Sequence, residues 1–199
     1  MAQMVPLSSD SPAVKHFEKV VGSTLQVVPS TCDGAFGQCY WNVDKFVEKF
    51  GGKAAYGWLV FQRWGILAEA VHHAVVEMPD GSLLDVTSSR VGTGDKIGFL
   101  RDDSVIPPRD FPIFIKSHFF LLKECQPAEV LIALTHRQNE IDAALVQAIK
   151  SAGMPFKLGE NIELPEGDHV DELLAELEQN RTEMSATIRL LDLNAAAGL

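Results

Sequence analysis

Apolar residues recur at a 3.6-residue spacing along residues 39–50. Val43, Phe46, Val47 and Phe50 fall on one side of a helix, Asp44, Lys45, Glu48 and Lys49 on the other, and Gly51-Gly52 forms its stop. Residues 11–22 show a shorter version, with Val14, Phe17, Val20 and Val21 following a Ser11 cap and Pro12 in the first turn. Residues 54–63, with Tyr56, Trp58, Val60 and Phe61, are rich in strand formers, and residues 71–78 and 82–87 read as the arms of a hairpin around Pro79-Asp80-Gly81. The helical period returns from Pro127, where Val130, Leu131, Leu134, Ile141, Leu145 and Ile149 predict a long helix closing near Gly153-Met154-Pro155. Residues 168–191 predict another, with Asp168, Asp171 and Glu172 in its first turn and a stripe of Leu173, Leu177, Met184, Ile188 and Leu191. Residues 30–38 and 92–110, mixing Ser, Thr, Asp, Gly and Pro, read as mostly loop, and Phe111 to Leu122 as a strand or two.

The mix of predicted helices and strands makes the expected fold class α+β, and the composition is that of an ordinary globular protein. At 199 residues with 46% hydrophobic and 22% charged, the chain can bury a sizeable core. The pattern divides it into a core over residues 1–125 and a helical extension over residues 126–199, expected to pack on that core. The net charge of -10 argues against a nucleic-acid partner, because phosphate contacts need clustered Lys and Arg. Most of that acidity lies in residues 158–199, where Arg181 and Arg189 are the only bases, so the last helix either docks on the domain or serves self-association. No long apolar run suggests a signal peptide or a membrane span, which makes the cytoplasm the expected location and a membrane an unexpected partner. Cys32, Cys39 and Cys125 are an odd, sparse set that suits reduced thiols.

One of those cysteines stands where chemistry is favoured. A free thiol has a pKa near ~8.5, and its reactive form is the thiolate. Helix N-termini carry unpaired N–H groups and partial positive charge, which stabilise an anion such as Cys39 at the first turn. A neighbouring imidazolium strengthens the effect, and a carboxylate on the far ring nitrogen fixes the orientation of that imidazole. The hairpin supplies both groups. A three-residue Pro79-Asp80-Gly81 connection sets Met78 opposite Ser82, so residues 73, 75 and 77 share a face with residues 83, 85 and 87. His73 and Asp85 are then diagonal neighbours with Cβ atoms roughly 7 Å apart. A two-residue Asp80-Gly81 turn would shift the register by one and make His72 the better partner.

The residues Gly37-Gln38-Cys39, Gly51-Gly52, His73-Ala74-Val75-Val76-Glu77 and Asp85-Val86-Thr87 together resemble the core of the transglutaminase-like branch of the papain-like cysteine enzymes. Val75 stands where that family usually has an aromatic residue, and the resemblance covers about a quarter of the chain. It implies a nucleophile-bearing helix packed on an antiparallel sheet, with Cys39 as nucleophile, His73 as general base and acid, and Asp85 as its orienting partner.

The expected activity is thiol acyl transfer, as a hydrolase, peptidase, deamidase or transglutaminase-like enzyme acting on a peptide, protein or small-molecule amide without a cofactor. The Cys39 amide is the natural first oxyanion donor, and Gln26 or Gln38 is a candidate second. Trp41, Trp58 and Trp64 are candidates for a substrate groove, with buried packing expected for at least two. Arylamine N-acetyltransferase chemistry uses the same Cys, His, Asp order. A non-catalytic binding or structural module of the same fold is the contrasting reading.

Overall fold

A computed structural model describes residues 4–88, 95–108, 114–155 and 163–198. Its elements run β1 (Val5–Pro6), α1 (Pro12–Val21), β2 (Gln26–Gly34), α2 (Cys39–Phe50), β3 (Lys53–Arg63), β4 (Leu67–Glu77), β5 (Leu83–Thr87), β6 (Lys96–Arg101), β7 (His118–Leu121), α3 (Gln126–Ser151) and α4 (Asp168–Ala196). Helix ends follow the local chemistry. Ser11 Oγ accepts the Ala13 N–H at 3.3 Å, and Gly22 closes α1 in the left-handed region at φ 78°. The Gly51 N–H closes α2 on the Val47 carbonyl at 2.9 Å.

The chain is α+β, and its described residues form seven strands in the order β1-β3-β6-β2-β5-β4-β7. β3 also pairs with β4 along its whole length, from Lys53 opposite Glu77 to Arg63 opposite Leu67. The strands β3, β6, β2, β5 and β4 therefore close into a ring, with β1 added on β3 and β7 on β4. Because side chains alternate across strands, Val28, Ala55, Val75, Ile97 and Phe99 meet on one face and fill the ring. Tyr56, Ala74, Val76 and Val86 point outward, where α2 lays Val43 against them. Gly57 permits the tight β3–β6 approach, since a Cβ there would stand 2.1 Å from the Leu100 carbonyl oxygen.

Three sequence expectations need correction. The sheet is mixed rather than antiparallel: β2 runs parallel to β5, with Ser30 opposite Asp85 and Gly34 opposite Thr87. β2 itself extends through Ser30, Thr31 and Asp33, which had read as loop, and β6 occupies Lys96–Arg101 despite Gly98. Both strands are held by ladder bonds to partners distant in sequence, so pairing overrides weak local propensity. Of the 111–122 stretch, His118–Leu121 forms a strand, and residues 111–113 lie outside the described residues.

Two compact units divide the chain. One comprises Met1–Ile106 with Ser117–Cys125 and holds the ring, α1 and α2. The other comprises Pro107–Lys116 with Gln126–Leu199 and holds α3 and α4. Within the second unit the two helices pair antiparallel: Ile141 and Leu145 pack with Val170, Leu173 and Leu177, while Asn180 Nδ2 donates to the Leu134 carbonyl at 3.1 Å. No helix among the described residues is long and apolar enough to cross a membrane.

Candidate active site

The hairpin between β4 and β5 sets the geometry. Gly81 sits at φ 84° and donates to the Met78 carbonyl, and Met78 N–H donates to the Ser82 carbonyl at 2.8 Å. Val76 therefore faces Leu84, and Glu77 faces Leu83, the register of a three-residue connection. This puts His73 and Asp85 on the inward face, where His73 Nε2 lies 3.0 Å from Asp85 Oδ1 and both residues are buried. Cys39, in the first turn of α2, is near enough to act on the charge of the same ring. With Nε2 committed to Asp85, Nδ1 is the ring nitrogen left for sulfur.

Burial by itself would lower the pKa of His73. The neighbouring Cys39 side chain and the Asp85 carboxylate, which accepts a hydrogen bond from the ring, outweigh it, and the value is pushed up to about 10. The ring is accordingly imidazolium at neutral pH, held between a sulfur and a carboxylate.

Residues that the sequence reading did not single out complete the surroundings. Asp85 is fully buried, and its Oδ1 also accepts the Thr87 N–H at 3.1 Å while Oδ2 accepts the Ser30 hydroxyl at 3.2 Å. Asn42, one turn after Cys39, donates from Nδ2 to the Ala35 carbonyl at 2.8 Å and to Thr87 Oγ1 at 3.2 Å. That ties the start of α2 to the strand carrying Asp85. Gly34 lies against this link, and a Cβ on it would stand 2.4 Å from the Val86 carbonyl oxygen and 2.5 Å from Asn42 Cγ. A buried Asn at helical spacing from a cysteine was the available signal for Asn42. Ser30 had none, because its role depends on the parallel β2–β5 pairing.

The remaining candidates separate by location. Gln38 caps α2 through its backbone at φ -118° and ψ 36°, adjacent to Cys39, and its side chain makes no capping bond. Trp41 is half-buried, with its ring 6.1 Å from that of Tyr40. Gln26 is not brought to the site: it is exposed, pairs with Phe99 at the far end of β2, and precedes Ser30 by about 13 Å of strand. Of the three tryptophans only Trp58 is buried, whereas Trp41 and Trp64 are half-buried. Trp64 sits at φ 58° in the β3–β4 turn, with the Arg63 guanidinium 5.4 Å from its ring centre.

His72 points to the opposite face from His73, as strand alternation requires. Its Nδ1 lies 2.8 Å from the Tyr40 hydroxyl, and its ring packs on the edge of Trp58, whose Nε1 donates to Asp102 at 3.1 Å. Burial lowers its pKa to about 4, with the charge of His73 adding to that effect and Asp102 and the Val105 carbonyl opposing it, so the ring is neutral at pH 7. Its Nε2 is buried and the Val105 carbonyl near it falls short of hydrogen-bond geometry, so the Tyr40 contact is the ring's principal polar tether. Tyr40→Phe is expected to cost about 2 kcal/mol of stability, read from urea unfolding, because a buried polar ring loses its partner. An unchanged midpoint would show that this bond does not hold α2 to β4.

Comparison with family models, with curated proteins and with solved structures returned no match.

Proposed function

We propose that this chain is a cysteine-dependent acyl-transfer enzyme with a papain-like, transglutaminase-type core, acting on an amide or thioester carbonyl of a peptide, protein or small molecule. The observation that supports it is a buried His73 imidazole bonded to the Asp85 carboxylate and influenced by Cys39, the three side chains coming from three separate elements. An imidazolium beside the sulfur favours the thiolate. The start of α2 directs its first N–H groups toward the same place, and Gln38 leaves them without a side-chain cap.

In the reaction the sulfur attacks the carbonyl carbon, a C–S bond forms, and the Cys39 amide meets the charge on oxygen. Collapse breaks the bond to the leaving group as His73 gives it a proton. The neutral ring then takes a proton from water or an acceptor amine, which attacks the acyl-sulfur bond and releases Cys39. Asp85 holds the ring through both states and Ser30 holds Asp85. Gln38 is the candidate second oxyanion donor and Trp41 a candidate wall for substrate. A reducing compartment such as the cytoplasm keeps the sulfur available.

Alkylation tests this directly. At pH 6 to 7, iodoacetamide is expected to modify Cys39 at least about tenfold faster than Cys125, with the selectivity lost in Cys39→Ala and weakened in His73→Ala. The acyl-transfer rate should fall on the alkaline side only near pH 10, where His73 loses its proton. Slow, equal labelling of the cysteines at neutral pH would refute the proposal and support a non-catalytic module.

A further inference from the structure

α4 turns one stripe toward α3 and leaves another uncovered. Val170, Leu173, Leu177 and Asn180 are buried, whereas Leu174, Glu178, Thr182, Ser185, Arg189 and Leu193, spaced by three or four residues along the other side, are exposed. Most of this stripe lines a single concavity along the helix. We propose that it is the seam on which a second copy of the chain docks, with the two α4 helices antiparallel about a twofold axis.

The stripe is complementary to itself when read in opposite directions. Placing Thr182 against Ser185 brings Glu178 of one copy opposite Arg189 of the other and Leu174 opposite Leu193, and the twofold axis repeats each contact. Glu178 and Arg189 have no ion-pair partner within the chain among the described residues, and Leu193 is 67% exposed. The centre of the seam is small, so the helix axes can approach closely. It also requires no outside polar partner, because the Thr182 hydroxyl donates to the Glu178 carbonyl at 2.9 Å and the Ser185 hydroxyl to the Arg181 carbonyl at 2.8 Å.

Charge selects this arrangement over others. Arg181 and Arg189 are the only bases in residues 158–199, and both lie on this face. A parallel pair would set Glu178 against Glu178 and Arg189 against Arg189, and a face of α4 without Arg181 or Arg189 has no base to offer an acid of the other copy. The antiparallel seam instead sets the two signs opposite one another and makes two ion pairs.

Sedimentation equilibrium on the full chain at tens of micromolar and moderate salt is the test. The expected result is a reversible dimer. Glu178→Arg and Arg189→Glu should each weaken it by about tenfold or more, because each places like charges opposite one another twice. Combining the two reversals should restore it. Leu174→Asp should abolish it, with the helix content of every variant checked by circular dichroism. A chain that stays monomeric at hundreds of micromolar would overturn the proposal. So would a dimer indifferent to the single reversals, or a monomer that instead retains polyglutamate through Arg181 and Arg189.

Discussion

Asp85→Asn is expected to lower kcat/KM for amide or ester turnover by about 10³- to 10⁴-fold while leaving the fold in place, the magnitude that follows when an orienting carboxylate of this kind becomes an amide. The cause lies in which atoms can accept. His73 donates from Nε2 to Asp85, and the same carboxylate receives the Ser30 hydroxyl and the Thr87 N–H. An amide has one oxygen to offer instead of two. If its NH2 faces the His73 nitrogen it forces the other tautomer, and if it faces Ser30 the ring keeps only a neutral acceptor in place of its counterion. The positive charge on His73 also loses its buried counterion, so its pKa should drop from about 10 and the alkaline limb of the rate profile should move to lower pH. Steady-state kinetics across pH, with a urea midpoint as control, reads both effects. Unchanged kcat/KM would remove Asp85 from the mechanism. Ser30→Ala supplies the graded comparison: it takes one of three donors from Asp85 and should cost far less than the Asp85 change.

Gly34→Ala is the second large effect expected, and it acts without touching any reacting atom. The added methyl would stand 2.4 Å from the Val86 carbonyl oxygen and 2.5 Å from Asn42 Cγ, where neither the backbone of β5 nor the buried amide can yield cheaply. Strain of this kind costs about 1–3 kcal/mol, and displacing Asn42 adds the loss of its bonds to Ala35 and Thr87. Because Asn42 ties the first turn of α2 to the strand bearing Asp85, the variant should lose selective alkylation of Cys39 even where it remains folded. A lowered unfolding midpoint accompanied by slower Cys39 labelling is the expected pair of results. Full labelling in a destabilised variant would show that Asn42 serves the fold and not the nucleophile.

Local signals made α1, α2, the β4–β5 hairpin and the two long helices legible, because each carries its own period and its own stop: Gly22 and Gly51 end helices, and Pro79-Asp80-Gly81 fixes the register that brings His73 to Asp85. What escaped was whatever depends on partners distant in the chain. Ser30, Thr31 and Asp33 carry no strand signature, and only the ladders to β6 and β5 make them one. Gly98 reads as a loop residue until Val60 and Val27 flank it across two ladders. The ring closure by β3 and β4 and the parallel course of β2 have the same origin. The site follows this division: the residues expected to react were readable from their own elements, whereas Ser30, which steadies them, was not. Gln26 failed as a candidate because nothing local reveals which end of β2 meets Asp85.

The hydroxyl that steadies the carboxylate belongs to a residue 55 positions earlier in the chain. Contacts of such long sequence separation form late in folding, after the loop-closure entropy has been overcome. A nascent or partly collapsed chain can therefore build the helix that carries the sulfur and the hairpin that carries the imidazole and still lack a properly anchored acid. The Ser30–Asp85 bond is thus a marker of completed folding, made after the elements that carry Cys39 and His73 are in place.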